Sequence, residues 1–274
     1  MVFICYNKSM ADSFFVFFFF VFGLIAGSFL NCVIYRVEKG ESFLRGRSYC
    51  PSCSHALTWQ DLIPLFSFFS LKGRCRYCQE KISWQYPLVE LATGVIFAIV
   101  FFFNGFHSFL ALAYFLVVSC FLILIFAYDF KHLLVPDLFV YIPIVFSLVY
   151  LAFFLFGSLD FEAAKVALLQ HLFSAFLASG LFAILVLVSR ERWMGSGDIG
   201  IGFLMGLILG WPKTIVALLL SFFIGALLGI ALMIARKKGL KSEIAFGPFL
   251  VLGTFLALFL GDKIIAWYLS LFLI

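Results

Sequence analysis

Residues 109–128 read FLALAYFLVVSCFLILIFAY, and residue 129 is an aspartate. No charge interrupts the run, and its length matches the roughly 20 apolar residues that a helix needs to cross bilayer hydrocarbon. Polar and apolar residues do not alternate in it, so it is not a strand of an outer-membrane barrel. Similar blocks recur along the chain. Of 274 residues, 65% are hydrophobic, 40 are phenylalanine and only 12% are charged, whereas a soluble domain carries about 25% charged residues. These values exclude a soluble globular enzyme, a disordered chain and a nucleic-acid binder. Working outward from 109–128, spans are expected near 13–35, 87–103, 108–128, 138–156, 166–188, 199–212, 214–235 and 245–261, the sixth being short. The expected fold class is an α-helical polytopic membrane protein with about eight transmembrane helices and one small zinc-ribbon-like domain.

That domain is marked by charge. Residues 36–86 hold 12 of the chain's 33 charged side chains (19 basic and 14 acidic in all). Residues 1–35 then form a first transmembrane helix, 36–86 a polar domain and 87–274 a second helical domain. The first block is not a signal peptide, because Phe14–Ile34 is too long for an h-region and no small-x-small site follows. With eight spans, one face of the membrane would carry 15 Lys and Arg and the other 4. Lys and Arg favour the cytoplasmic side, so the polar domain and the loops after residues 128 and 188 are expected there, among reduced thiols.

The polar domain contains Cys50-Pro-Ser-Cys53 and Cys75-Arg-Tyr-Cys78. Two CxxC turns in a reducing compartment are the ligand set of a structural zinc ribbon, because each turn can aim two thiolates at one tetrahedral ion. Lys72, Arg74 and Arg76 would offset the negative charge of a four-thiolate centre. The competing reading is free thiols or two disulfides. Cys5, Cys32 and Cys120 have no such partners and read as apolar residues.

Ionisable residues within or beside spans are functional candidates. Asp129 ends the run quoted above, and Asp198 opens the next apolar stretch, Ile199-Gly200-Ile201. Both are therefore expected at the same edge of the hydrocarbon, on different helices. Two carboxylates brought together there would share a proton, and such a pair can activate water against a peptide carbonyl and protonate the leaving amine. That chemistry needs no metal. Asp137, after Pro136, reads instead as a helix-start residue, and for Asp129 and Asp198 the plain alternative is a cap or topology marker. Gly195 and Gly197 flank Asp198 in MGSGD (194–198) and would leave the backbone bare for a substrate strand. GSGDIG (195–200) also matches a dinucleotide fingerprint literally, but no strand precedes it and no acid follows at the required spacing. There is no HExxH or GxSxG. His107 and His171 are expected toward the opposite side, His132 lacks a nucleophile beside it, and Glu90 is an intramembrane acid without an assigned role. Gly23 and Gly27, then Gly202, Gly206 and Gly210, then Gly225 and Gly229 have the spacing of close helix contacts.

With these residues in view, the chain resembles the type IV prepilin peptidases, GxGD-type aspartyl proteases that are also N-methyltransferases. The resemblance rests on GSFLNCVIYR (27–36), CPSC (50–53), TWQDLIPLFSFFSLKGRCRYC (58–78), ISWQYPLVE (82–90), Asp129 with Val135-Pro136-Asp137, MGSGD and FGPFL (246–250). It implies Asp129 and Asp198 as the catalytic pair and Cys50, Cys53, Cys75 and Cys78 as zinc ligands. It also implies a multi-pass bacterial inner-membrane protein that cleaves prepilins or pseudopilins of pilus and type II secretion systems after a Gly. The new N-terminus would then be methylated from S-adenosylmethionine, whose site the residues do not indicate. Gln85 stands where the family often has Arg, and Gly200 where it usually has Lys.

Two readings compete. A proton-coupled transporter would need acids near the midplane and broken helices or repeats; a non-catalytic scaffold docking through a zinc ribbon would leave both aspartates replaceable.

Overall fold

The computed structural model describes residues 10–42, 46–106, 108–157, 160–191, 194–234 and 245–271. Cys5, His107, Arg236, Lys237, Lys238 and Lys241 lie outside them. The chain forms helices α1 (Met10–Lys39), α2 (Phe66–Ser70), α3 (Gln85–Asn104), α4 (Phe109–His132) and α5 (Asp137–Gly157), then α6 (Phe161–Ser189), α7 (Gly197–Leu209), α8 (Lys213–Ile234) and α9 (Gly247–Ser270). Two compact units divide it, Met1–Ala127 and Tyr128–Ile274, with the boundary inside α4.

Among the described residues, seven helices are long and apolar enough to span a membrane: all except α2 and α7. α7 corresponds to the expected sixth span but has only 13 residues. At about 1.5 Å per residue it covers roughly 20 Å, short of a hydrocarbon core of about 30 Å. It stops at Gly210, whose φ of 65° suits glycine. Every residue from Ile201 to Leu209 except Phe203 is buried. A helix so shielded by protein need not match the lipid thickness, and Gly202, Gly206 and Gly210 meet Phe182, Ala175 and His171 in turn, so it runs antiparallel to α6. α9 runs on to Ser270, beyond the expected end of the eighth span at 261.

In the first unit α1 and α3 pack antiparallel, and small residues set how closely. A Cβ on Gly23 would come within 2.8 Å of Gly94, and one on Gly27 within 2.7 Å of the Glu90 backbone. One turn further along, Asn31 donates from Nδ2 to the Tyr86 carbonyl at 3.0 Å. At the other end Phe19 stacks on Phe101 with centroids 4.7 Å apart.

The second unit is arranged around α7. Gly206 lies against Ala175 of α6, and Gly202 against Phe182, where a Cβ would stand 2.6 Å from the ring. Gly200 faces α5, with Val140 Cγ1 at 2.7 Å from a Cβ position. A lysine at 200, where the family usually has one, would have to displace the Val140 side chain. α8 and α9 form an antiparallel pair in which Gly253 receives Ser221 and Ala217, and Lys213 meets Asp262 at 2.8 Å. His171 lies beside Gly210, at the far end of α7 from Asp198, and bonds the Leu207 carbonyl through Nδ1 at 2.7 Å.

Candidate active site and metal centre

The four cysteines come together in the first unit. Each CxxC is the same turn built twice. Ser54 N–H donates to Cys50 O at 2.9 Å and Gln79 N–H to Cys75 O at 3.0 Å. Cys50 and Cys75 in turn donate to His55 and Glu80 carbonyls at 3.0 and 2.8 Å. Ser54 and Gln79 both take positive φ, 57° and 60°, which closes each turn. All four sulfurs lie within 4.8 Å of one another, and Cys50 Sγ to Cys78 Sγ is 3.9 Å. A disulfide would require about 2.05 Å. Zn–S bonds of about 2.3 Å at tetrahedral angles place sulfurs roughly 3.8 Å apart, so the thiols suit a four-coordinate metal ion and are not oxidised pairs. Burial opposes ionisation of Cys50, but the backbone amides of Cys53 and Ser52 prevail and lower its thiol to about 7.

The rest of the polar domain braces these turns. Asp61 accepts from Thr58 N at 3.0 Å, Thr58 Oγ1 at 2.8 Å, Arg76 Nε at 2.8 Å and Tyr77 OH at 3.1 Å. It thereby ties the start of the inter-knuckle segment to the second knuckle. Arg76, expected to offset the thiolate charge, is thus paired with Asp61; Lys72 and Arg74 are exposed. Burial works against the Asp61 anion, but the Thr58 and Arg76 bonds dominate and hold its carboxyl at about 2. Arg36, buried at the end of α1, donates to the Ser42 and Arg47 carbonyls at 3.1 and 3.0 Å, anchoring the domain's entry. Glu90 accepts the Leu65 N–H at 2.8 Å and so fastens this domain to α3.

The acids come together in the second unit. Asp129 lies in the last turn of α4 and Asp198 is the second residue of α7. They are only 6% and 8% exposed, and close enough that the charge of Asp129 acts on Asp198. The last turn of its own helix disfavours the anion of Asp129, whereas Asp198 lies in the first turn of α7, after the N-cap Ser196, where a helix favours a carboxylate. Asp137 is exposed at the first residue of α5. A Cβ on Gly195 would meet nothing within 4 Å, and one on Gly197 only Val135, at 3.8 Å. The backbone before Asp198 is therefore uncovered.

Gly247 completes the arrangement. The Asp129 carboxylate rests on it, with Oδ2 2.5 Å from where a Cβ would stand, and the Gly247 amide hydrogen-bonds that carboxylate. The reason lies in the first turn of α9. Pro248 has no N–H, while Phe249 and Leu250 both donate to Phe246 O, at 3.0 and 3.2 Å. Gly247 therefore supplies the donor that the start of a helix leaves free for an anion. In the sequence this residue was visible only as part of FGPFL; its contact with Asp129 joins positions far apart in the chain.

These features define a polytopic helical membrane protein with a buried aspartate pair and a four-thiol centre. Residues 21–103 match the Bacterial Peptidase A24 N-terminal domain, and residues 116–230 the Type IV leader peptidase family. The chain is 33% identical to a prepilin leader peptidase/N-methyltransferase of Aeromonas hydrophila, over 93% of each chain. It is 30% identical to that of Bacillus subtilis, over 92% of this chain and 97% of the relative. With that of Pseudomonas aeruginosa it shares 31% identity over 90% and 91%. The chain belongs to the prepilin leader peptidase/N-methyltransferase family. No solved structure matches it.

Proposed function

We propose that the chain is a membrane aspartyl endopeptidase that removes the leader of type IV prepilins or pseudopilins after a Gly and N-methylates the residue so exposed. The observation that carries this reading is the Asp129–Asp198 pair, buried together at helix ends beside the uncovered backbone of Gly195 and Gly197. Asp129, held by the Gly247 amide, takes a proton from water, and the water attacks the scissile carbonyl. Asp198 is the acid that protonates the leaving amine, since two carboxylates so close share one proton. The backbone around Gly195 and Gly197 receives the extended substrate. The excess of Lys and Arg on one side supports a cytoplasmic position for residues 36–86 and for these helix ends in a bacterial inner membrane, where a basic leader meets an apolar pilin helix.

Cys50, Cys53, Cys75 and Cys78 hold a zinc ion whose role is structural, because four thiolates leave no open coordination position. S-adenosylmethionine would supply the methyl group. The described residues of the polar domain form two knuckles, a single 3-10 turn and the five-residue α2, with no strand–helix unit of a nucleotide fold. The structure assigns no residues to that cofactor.

The test is to incubate the purified protein with a prepilin and follow its mass. A loss equal to the leader, followed by a gain of one methyl group when S-adenosylmethionine is present, is expected. An intact prepilin would refute the reading in favour of a transporter or scaffold.

A further inference from the structure

Between the two knuckles, residues 59–71 read WQDLIPLFSFFSL. They fold as a 3-10 turn, Trp59–Leu62, followed by α2. Phe68 turns inward and packs on Trp84, centroids 5.0 Å apart. The other large rings turn out: Trp59, Phe66 and Phe69 are 73%, 65% and 62% exposed, and Leu62 and Ile63 are exposed beside them. A small domain facing water on all sides does not present so continuous an apolar surface.

What covers it follows from three observations. The first is depth. Leu65 N–H is bonded to Glu90, which lies five residues inside the start of α3 at Gln85. At about 1.5 Å per residue this sets the segment beside α3 roughly 7 Å past the beginning of that span. The second is the backbone. The amides of Leu65, Phe66, Ser67, Phe69, Leu71, Lys72 and Gly73 have acceptors within the protein, so most of this turn's donors do not depend on water, as suits the polar–apolar boundary of a membrane. The third is the flank. Lys72 and Arg74 follow immediately and are exposed, placed as basic side chains are at anionic headgroups, and tryptophan is enriched at that level of a membrane.

We infer that residues 59–71 are an interfacial segment. Their apolar face lies in the bilayer leaflet that the N-terminal end of α3 enters, with Lys72 and Arg74 on anionic headgroups. The polar domain is then not a free aqueous module on a tether. It is seated on the membrane by Trp59, Phe66 and Phe69, and Glu90 fixes the depth.

The full chain, reconstituted in phosphatidylcholine vesicles with about a quarter phosphatidylglycerol, tests this through its tryptophans. One variant keeps only Trp59, with Trp84, Trp193, Trp211 and Trp267 changed to Phe. A second keeps only Trp267, which is exposed on the span α9. Phosphatidylcholine brominated in its acyl chains should quench Trp59 at least about half as strongly as Trp267, while aqueous iodide should quench it little. Adding Phe66→Asn and Phe69→Asn, both at exposed positions, should raise iodide quenching of Trp59 and lower quenching by brominated lipid. Iodide quenching with no response to brominated lipid would show a water-facing surface and overturn the inference. Exclusion of both quenchers would show a protein cover, such as a second copy, and would overturn it equally.

Discussion

Replacing Gly247 with alanine is the most informative small change available. The added Cβ would stand 2.5 Å from Asp129 Oδ2, 3.2 Å from its Cγ and 3.2 Å from Ile201 Cδ1. An ordinary carbon–oxygen contact is near 3.4 Å, so the carboxylate must retreat by roughly 0.9 Å, while Ile201 Cδ1 keeps the new methyl from moving aside. A displacement of about 1 Å in a positioned catalytic group costs on the order of 100-fold, or about 2.7 kcal/mol in the barrier. The change also pulls Asp129 off the Gly247 amide, which a charge-assisted hydrogen bond makes costly. The assay is steady-state cleavage of a prepilin by protein in vesicles, with thermal unfolding as the check on folding. The expected result is a fall in kcat of roughly 100-fold with little change in KM and a preserved unfolding transition, because the change displaces the reacting carboxylate. A folded Gly247→Ala protein that cleaves within about threefold of the native rate would refute the role given to this glycine.

Other consequences are independent of the chemistry. Gly206→Ala drives a methyl into the Ala175 backbone of α6 and should cost about 1–3 kcal/mol by overpacking; Gly229→Ala, with nothing within 4 Å of its Cβ position, should leave the thermal transition in place. Asp61 has a side chain only 4% exposed and a carboxyl held near 2. Its stabilisation is therefore complete above about pH 4 and lost as pH falls toward 2. Asp61→Asn should cost about 1–2 kcal/mol at neutral pH, the half-exposed Arg76 partner limiting the value, and hydrogen exchange over residues 58–78 should reveal it. Serine at Cys50, Cys53, Cys75 or Cys78 should abolish zinc binding in elemental analysis, while Cys120→Ser should retain about one ion per chain.

How much of this could be read in advance depended on range. The spans and the CxxC turns are local: each is set by an unbroken apolar run or a four-residue spacing, and the residues appear where the pattern places them. α7 is short, as its sequence indicated; composition cannot distinguish lipid-facing from protein-facing burial in Ile199–Gly210, and the glycines at 202 and 206, read as packing residues, were the better signal for the latter. The segment 59–71 was masked by its basic flanks, and that Trp59, Phe66 and Phe69 all turn outward while Phe68 turns inward became visible only in the structure. Glu90 had no assignable role until its partner, a backbone amide at Leu65, was visible. Gly247 could not have been assigned at all, because its importance comes from a tertiary contact with Asp129 and from the missing N–H of Pro248.

The central claim is that Asp129 and Asp198 act as one catalytic pair. It is tested most directly by Asp129→Asn and Asp198→Asn, each inserted in membranes and incubated with a prepilin whose mass is followed. The account predicts that neither variant removes the leader, because the reaction needs one carboxylate as base and the other as acid. Asp137→Asn, altered at an exposed helix start, should cleave at close to the native rate. Substantial leader loss with either Asp129→Asn or Asp198→Asn, or a folded Asp137→Asn protein with none, would contradict it.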